Sequence, residues 1–187
     1  MSEIKDNNSI KLFIPKIISI IGSLLIILSI FLPYATATDE LKENIEDNPE
    51  RIVYSTMNLT NKDMEHISMF KYARIYNHIS KQVWGDSIHG IFYICLPACM
   101  GLFALMSVLF SAKKKPVAAI IFNVLAFLVF AAQNFDYKDR GVIPSSSYDW
   151  GIAYYIIFIA SAAAIVGNVW MLIQKIKINK QNKAANS

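Results

Sequence analysis

The chain has 187 residues, of which 55% are hydrophobic and only 17% are charged. Soluble domains carry about 25% charged residues. Four stretches, 17–38, 87–112, 116–135 and 150–174, contain no Asp, Glu, Lys or Arg and together cover about half the chain. A helix needs about 20 mostly apolar residues to cross a bilayer. The composition therefore excludes a soluble globular protein, a disordered chain and a secreted disulfide scaffold.

The net charge of +4 is unevenly distributed along the chain. If the four stretches cross in alternating directions from an inner N-terminus, segments 1–16, 113–115 and 175–187 lie inside and sum to +8. Segments 39–86 and 136–149 then lie outside and sum to −4. Lys and Arg are retained on the cytoplasmic side during insertion. The pattern predicts a plasma (cytoplasmic) membrane protein with both termini in the cytoplasm.

The first predicted helix covers about residues 12–35 and ends near Pro33, because proline discourages continuation of a helix. The sequence Ala35-x-Ala37 has the small-residue form of a signal-peptidase site. The apolar core before it is longer than the roughly 7–15 residues of a signal peptide. An uncleaved helix is therefore favoured, with cleavage after Ala37 as the alternative.

The predicted outer loop, 36–86, is too long for a passive connector, since structureless loops above about 12–15 residues are uncommon. The acidic stretch 39–48 predicts a short helix, and the β-branched residues of 51–59 predict a short strand. Residues 60–63 resemble a capping box, which predicts one continuous helix over 61–83.

Large side chains recur at three- and four-residue steps along that predicted helix. They form a contact stripe that consists of Tyr72, Ile75, Tyr76, Ile79 and Val83. Arg74, His78 and Lys81 are predicted on the opposite, solvent-facing side. We expect the outer ends of the membrane helices to cover the stripe, with the lipid surface or a partner as alternatives.

The remaining predicted helices cover about residues 87–112, 116–135 and 150–174. The three-lysine connection before Pro116 is short enough to make the second and third helices antiparallel neighbours. The sequence thus predicts an all-α fold, with residues 1–187 as a single four-span membrane domain. Its expected architecture is an antiparallel four-helix bundle with a structured extracytoplasmic loop between helices 1 and 2.

No Asp, Glu, Lys or Arg lies inside the four stretches. Proton relays and ion-coupled transporters carry ionisable side chains at membrane depth. Asn123 and Asn168 lie well inside the predicted helices, and Asn168 continues a small-residue stripe of Ala160 and Ala164. Small residues let helices approach closely, and amides form hydrogen bonds across the contact. These four residues predict helix packing, with a pore lumen as the alternative.

Patterns typical of enzymes and metal sites are missing from the sequence. Cys95 and Cys99 are the only cysteines, and the three histidines lack ligand spacing. No Gly-x-Ser-x-Gly elbow and no phosphate-binding Gly-x-x-x-x-Gly-Lys loop is present. We therefore expect no enzymatic activity, no cofactor and no metal.

Four short motifs mark the predicted helix ends. They are Phe31-Leu32-Pro33-Tyr34, Asp86-x-x-x-Gly90-Ile91-Phe92, Lys113-Lys114-Lys115 and Gly151-x-x-Tyr154. In these motifs the chain resembles a loose group of uncharacterised small four-helix bacterial membrane proteins. The resemblance covers the four helices and not the long loop, and it implies a bacterial membrane location without implying an activity.

Taken together, these features favour a non-enzymatic integral membrane protein that acts through protein contacts. An accessory subunit, a scaffold and an immunity-type protein all fit this description. A small oligomeric pore or facilitator, with Asn123 and Asn168 facing a lumen, is the alternative. The expected partners are membrane lipid and either a second protein or further copies of the chain. The basic charge needs no nucleic-acid partner, because anionic headgroups account for it.

Overall fold

The computed structural model describes residues 2–83 and 88–185. The predicted helix start at Ser87 and the Asp86 motif residue lie outside the described residues. Seven helices occur within the described parts: α1 Ser2–Ser29, α2 Asp39–Asp47, α3 Asn61–Met64, α4 Met69–Val83, α5 Ile88–Ala112, α6 Pro116–Asp139 and α7 Ile152–Ala185. The predicted all-α class is confirmed by this predominance of helix.

Four of the helices are long and apolar enough to cross a membrane. The candidate spans are Ile10–Ser29, Gly90–Ala112, Pro116–Asp139 and Ile152–Ala184. Each has at least the roughly 20 residues that a hydrocarbon core requires. This is the composition of a helical membrane protein.

Short strands accompany the helices, and most of them are absent from the sequence-based prediction. They are β1 Pro33–Ala37, β2 Ile52–Tyr54, β3 Leu59–Thr60, β4 His66–Ser68 and β5 Tyr148–Trp150. The first of them, β1, is the middle strand of a three-stranded antiparallel sheet with the order β4-β1-β5. A second antiparallel pair is formed by β2 and β3.

The first helix differs from the predicted range of 12–35 at both ends. It begins at Ser2, since residues 2–14 contain neither glycine nor proline to interrupt it, and it ends at Ser29. Pro33 cannot continue a helix, and the chain passes directly into β1. There Ala35 pairs with Ile67 on one side and with Trp150 on the other. Sheet pairing on both sides therefore replaces the last turns of the predicted helix.

The predicted continuous helix over 61–83 is wrong. Thr60 and Asp63 do form a capping box, but the helix that it opens, α3, ends at Met64. Residues 66–68 then pair with β1, and Ile67 is buried in the sheet. Helix α4 starts afresh at Met69, where the Ser68 hydroxyl accepts the Lys71 N–H at 3.1 Å. Tertiary pairing has overridden a helical pattern that is continuous in the sequence.

The predicted single strand over 51–59 is instead a small hairpin. Strand β2 and strand β3 are joined by a 3₁₀ turn at Ser55–Met57. Asn58 follows that turn at a φ of +52°, a left-handed conformation that asparagine tolerates better than most residues. One alternating stretch thus supplies both strands.

The last two helices extend beyond their predicted C-terminal limits. Helix α6 continues to Asp139 rather than 135, and α7 continues to Ala185 rather than 174. The α7 extension contains four Lys and two Ala, which are good helix formers. The predicted opening of this helix at Trp150 is occupied by β5. Gly151 lies between β5 and α7. Glycine is required there, because a Cβ at this position would collide with the Pro33 carbonyl oxygen.

The chain divides into two compact units. Unit 1 comprises Met1–Ile27, Met100–Phe127 and Phe158–Ser187, and unit 2 comprises Leu28–Cys99 and Leu128–Ile157. Unit 1 contains helical segments only within its described residues. Unit 2 contains the three-stranded sheet, the β2–β3 hairpin and the short helices α2, α3 and α4.

Within unit 1, α1 and α7 approach each other through small residues. A Cβ on Gly22 would lie 2.7 Å from the Ala160 carbonyl oxygen and 2.7 Å from the Ala164 nitrogen. One on Gly167 would lie 2.7 Å from the Ser19 nitrogen. Ala160 and Ala164 are both buried. The small-residue stripe of α7 therefore packs backbone to backbone against α1.

This contact predicts a large difference between two identical substitutions on α7. Ala164→Leu should destabilise the protein by about 1–3 kcal/mol or more, because overpacking at a backbone contact forces the two helices apart. Ala162→Leu is the matched control, since Ala162 is exposed two residues earlier on the same helix. Thermal unfolding in a mild detergent measures both. Equal melting temperatures would contradict the close α1–α7 contact.

Candidate functional site

Two sets of residues merit examination as sites: the buried polar side chains of unit 1 and the surface of unit 2. The first set centres on Asn123 of α6. Its Nδ2 donates to Ser107 Oγ at 2.7 Å and to Ser23 Oγ at 3.3 Å. The Ser107 hydroxyl donates to the Ala119 carbonyl at 3.1 Å. Because a hydroxyl has one proton, Ser23 must be the donor in its 3.1 Å bond with Ser107.

A second hydrogen-bond chain centres on Asn168 of α7. Its Oδ1 accepts the Ser111 hydroxyl at 3.0 Å, and its Nδ2 donates to the Ala164 carbonyl at 3.0 Å. The Ser111 proton is therefore committed, so Ser19 donates in the 2.8 Å bond between the two serines. We call the two chains together the polar network: Ser19, Ser23, Ser107, Ser111, Asn123 and Asn168.

The polar network is completely buried. All six of its side chains have a relative exposure of 0%. Asn123 Oδ1 is left without a partner among the described residues, so one acceptor in the network is unpaired. Asn123 and Asn168, predicted as packing or lumen residues, thus lie between helices of unit 1 together with the serines. Their contacts are those of helix packing.

Sequence reasoning missed the four serines of the network. Ser19 and Ser23 are four residues apart on α1, and Ser107 and Ser111 are four residues apart on α5. This spacing places each pair on one helix face. Two such pairs in otherwise apolar helices are the sequence pattern that could have predicted a polar contact between α1 and α5.

In unit 2, an aromatic cluster of Tyr34, Tyr72, Tyr76, Tyr93 and Tyr137 surrounds the end of α6. The ring centroid of Tyr137 lies 5.9, 5.4, 6.1 and 6.1 Å from those of the other four, in that order. Tyr72 and Tyr34 are buried, and this burial raises the pKa of both phenols far above the ordinary value. Neither hydroxyl ionises at physiological pH.

The predicted stripe on α4 takes part in this cluster. Tyr72 and Ile75 are buried, and Tyr76 and Ile79 are half-buried. Tyr76 stacks on Tyr93 of α5 with the centroids 4.5 Å apart. The side chain of Val83 lies outside the described part of the molecule. In this structure the covered part of the stripe faces α5 and α6 within unit 2.

One cation is held against the tyrosines. The Arg140 guanidinium carbon lies 5.1, 5.4 and 5.7 Å from the ring centroids of Tyr93, Tyr76 and Tyr137. Arg140 also pairs with both carboxylate oxygens of Asp136, at 2.6 and 3.1 Å. The Tyr93 hydroxyl donates to the same carboxylate at 3.1 Å. The arrangement is a satisfied structural pair rather than a vacant cation cage.

The β2–β3 hairpin is held to α4 by a histidine that was predicted to face solvent. His78 is half-buried, and its Nε2 lies 2.7 Å from the Thr56 hydroxyl. Its ring also meets the Tyr54 ring edge-on, with the centroids 6.3 Å apart. The hairpin covers this side of α4, which the sequence pattern left open.

The most chemically varied surface of unit 2 runs along α2 and into β2. Residues 39–53 carry six acidic and two basic side chains. All six carboxylates are exposed: Asp39, Glu40, Glu43, Glu46, Asp47 and Glu50. Ile52 and Val53 follow them and are also exposed, at 54% and 42%. We call this segment, residues 39–53, the α2–β2 surface.

A capping contact holds the chain just after this surface. The Asp63 carboxylate accepts both the N–H and the hydroxyl of Thr60, each at 3.1 Å. The Thr60 N–H lowers the pKa of the Asp63 carboxyl below its ordinary value, and Lys71 contributes in the same direction. Lys71 also donates to the Asp63 carbonyl at 2.6 Å. Asp63 thus connects α3 to the first turn of α4.

No metal-binding arrangement occurs at either place. Within residues 2–83 and 88–185, no group of three His, Cys, Asp or Glu side chains lies close enough to hold a metal ion. The buried polar groups of unit 1 are amides and hydroxyls, which are neutral and weakly nucleophilic without an adjacent base.

Comparison with known proteins gives no independent assignment. No protein-family model matches the chain, and no curated protein and no solved structure shows significant similarity to it.

The Asp63 contact predicts an acid-sensitive fold around α3. A carboxyl whose folded pKa is lowered stabilises the fold above its unfolded pKa, which is 3.8, and that stabilisation is lost as the pH falls through the folded pKa. The protection factors of the amides of residues 59–71, which are corrected for the pH dependence of intrinsic exchange, should therefore fall on acidification below about pH 4. Asp63→Asn should remove most of this pH dependence, whereas Glu43→Gln, at an exposed position of α2, should leave it unchanged. An identical acid response in the wild type and Asp63→Asn would contradict the assignment.

Proposed function

We propose that this protein is a non-enzymatic integral membrane protein that acts through protein contacts, as an accessory subunit, a scaffold or an immunity-type protein. The observation that carries the proposal is the α2–β2 surface. It joins a strongly acidic helix to two exposed β-branched side chains, and it belongs to a segment with its own sheet, caps and aromatic core. An exposed apolar strand beside predominantly negative charge is typical of a docking surface.

The partner that fits this surface has a basic rim and an apolar centre. Six exposed carboxylates would steer a basic face toward the segment. Ile52 and Val53 would then supply the apolar contact that becomes desolvated on binding. The partner is either a second membrane protein or another copy of the chain.

The membrane part is proposed to be an antiparallel four-helix bundle. Contacts within unit 1 support this arrangement, because Ser19 meets Ser111 whereas Ser23 meets Ser107. Residue numbers therefore rise along α1 as they fall along α5, and the Gly22 and Gly167 contacts relate α1 to α7 in the same sense.

The proposed orientation places both termini and the lysine connection in the cytoplasm of a bacterial cell. Lys113, Lys114 and Lys115 are all exposed between α5 and α6. Lys114 adopts a φ of +54°, where glycine is the usual residue at a helix C-terminus. Glycine would adopt this backbone conformation without strain, so the presence of lysine is consistent with selection for positive charge at this position. The first connection, including the α2–β2 surface, would then be extracytoplasmic.

A pore or facilitator is the alternative function. It would need a lumen lined by Asn123 and Asn168, but both amides are fully buried and hydrogen-bonded to neighbouring helices. This burial counts in favour of packing. Ion or solute flux in proteoliposomes that disappears in Asn123→Leu would reverse that preference.

The orientation predicts the accessibility of inserted tags in intact bacterial cells. Tags at residue 114 and at both termini should be protected from a membrane-impermeant reagent, whereas a tag at residue 47 should react. Permeabilised cells provide the control in which every tag reacts. Labelling of residue 114 in sealed cells would contradict the proposed topology.

The interaction surface predicts a charge-sensitive complex. Ile52→Lys should reduce recovery of a stoichiometric partner from native membranes at least tenfold, since a buried lysine would be desolvated without a counter-charge. Ser55→Lys is the control, because it adds the same charge at an exposed position of the same hairpin. Both variants should unfold at the wild-type temperature.

Site-specific photocrosslinking at residue 53 identifies the occupant. A product of twice the protomer mass would indicate self-association, and any other mass would indicate a second protein. A wild-type protein that is monomeric and recovers no stoichiometric partner would contradict the proposed function.

A further inference from the structure

A groove of about 510 Å³ lies in unit 1 beside the α5–α6 connection. It runs between the first turns of α6 and the C-terminal part of α7. The side chains that define its character are Lys115, Val117, Ile121, Leu172, Lys175 and Ile176.

The groove is apolar along its walls and positively charged where it meets the connection. Val117 and Ile121 are four residues apart on α6, and Leu172 and Ile176 are four residues apart on α7, so each pair shares a helix face. Val117, Ile121 and Ile176 are 55%, 53% and 47% exposed. These exposed side chains belong to the candidate membrane spans, where the surrounding solvent is lipid.

The charged part of the groove is positioned by the fold. Lys175 Nζ donates to the Lys114 carbonyl at 3.2 Å, which holds its ammonium beside the connection. Lys115 stands immediately before α6, and the positive end of the α6 helix dipole adds to the same field. None of the residues that line the groove is acidic, so its positive charge is not neutralised from within.

We propose that this groove binds an anionic phospholipid, with the phosphate at Lys115 and Lys175 and an acyl chain along the apolar walls. Charge complementarity selects the headgroup: a basic pocket between membrane helices is suited to anionic lipid. A zwitterionic headgroup would bring its own ammonium close to the two lysines. The proposal requires only that the helices lie in a bilayer, and it is independent of the orientation and of any protein partner.

Lipid titration of the purified full-length protein, followed by native mass spectrometry, tests the site. Phosphatidylglycerol should bind more tightly than phosphatidylcholine with the same acyl chains. Lys115→Gln/Lys175→Gln should weaken phosphatidylglycerol binding about 25-fold, roughly fivefold for each lysine, and weaken phosphatidylcholine binding much less, because the choline ammonium already offsets the attraction of its phosphate for the lysines. Lys177→Gln/Lys180→Gln removes the same charge from α7 outside the groove and should change the affinity less than twofold.

A second variant tests the acyl contact separately from the charge. Val117→Ser/Ile121→Ser should weaken phosphatidylglycerol binding while leaving the weak binding of soluble glycerol phosphate unaltered. All variants carry substitutions at exposed positions and should keep the wild-type melting temperature; the lipid preference of the wild type tests the proposal even if a variant does not fold.

Three results would overturn the proposal. Equal affinity for the two lipids would show that the lysines do not select the headgroup. An equal loss in both lysine pairs would show general surface attraction. Displacement of the lipid by inorganic phosphate, together with insensitivity to the wall variant, would show a site for a free anion instead.

Discussion

Hydrogen bonding between buried serine hydroxyls and asparagine amides is the constraint on which the helices of unit 1 depend. Lipid is as apolar as leucine, so hydrophobic burial alone gives membrane helices little reason to associate in one register. Asn123 reaches Ser23 and Ser107 together, which fixes three helices relative to one another. Shifting any of the three helices would leave polar groups unpaired in an apolar interior, a costly outcome.

Small residues complement that polar constraint. Gly22 and Gly167 let the backbones of α1 and α7 meet, and Ser19 lies at the Gly167 contact. Close backbone packing brings the serines and amides within hydrogen-bonding range. In turn, the hydrogen bonds select the register in which the small residues face each other. The two effects are local to unit 1 and support the same arrangement.

Unit 2 is organised by a different interaction: strand β1 pairs with β4 on one side and with β5 on the other. A strand placed directly after α1 joins residues 66–68 and 148–150, which are far apart in sequence. Gly151 permits this pairing, because its N–H donates to the Tyr34 carbonyl at 2.7 Å and any side chain there would strike Pro33. Tyr34 then enters the aromatic cluster around Tyr137. The α2–β2 surface adjoins this small framework, and its six carboxylates are exposed.

The sequence was sufficient to predict features that follow from local composition. Four apolar stretches gave four candidate spans, and the acidic stretch at 39–48 gave α2. The capping box at Thr60 was also recognised, because its pattern spans only four residues.

Features that depend on distant partners were not predictable in this way. Residues 66–68 continue a helical pattern, and only β1 makes them a strand. Residues 33–35 are predicted as a helix end for the same reason, since neither stretch reveals its partner. His78 was placed on the solvent face because the hairpin that covers it could not be anticipated.

Within the candidate sites, the amides were found and their serine partners were not. Asn123 and Asn168 stand out as strongly polar residues among apolar ones. Serine is common in membrane helices and small enough to be a simple packing residue. The sequence therefore does not identify Ser107 and Ser111 as hydrogen-bonding partners of the amides. Their four-residue spacing acquires meaning only when a second pair, Ser19 and Ser23, is matched against it.

The organisation favours a division of roles between a fixed interior and a variable surface. The polar network uses its serine hydroxyls, the Asn123 amide nitrogen and Asn168 Oδ1 in contacts between helices and leaves Asn123 Oδ1 without a partner among the described residues. The α2–β2 surface and the basic groove present exposed side chains. We propose that these two exposed regions serve contacts with protein and with lipid.

The most direct test of this account is a double-mutant cycle between Ser107 and Asn123. Unfolding free energies in mild detergent would be measured for Ser107→Ala, Asn123→Leu and the double variant. We expect a favourable coupling of about 0.6 kcal/mol, the average found for hydrogen bonds between membrane helices, for which the largest value is about 1.7 kcal/mol. A parallel cycle between Ser107 and Asn168, which belong to different hydrogen-bond chains, should show additive effects. Additivity in the Ser107–Asn123 cycle as well would contradict the claim that the polar network sets the register of the helices.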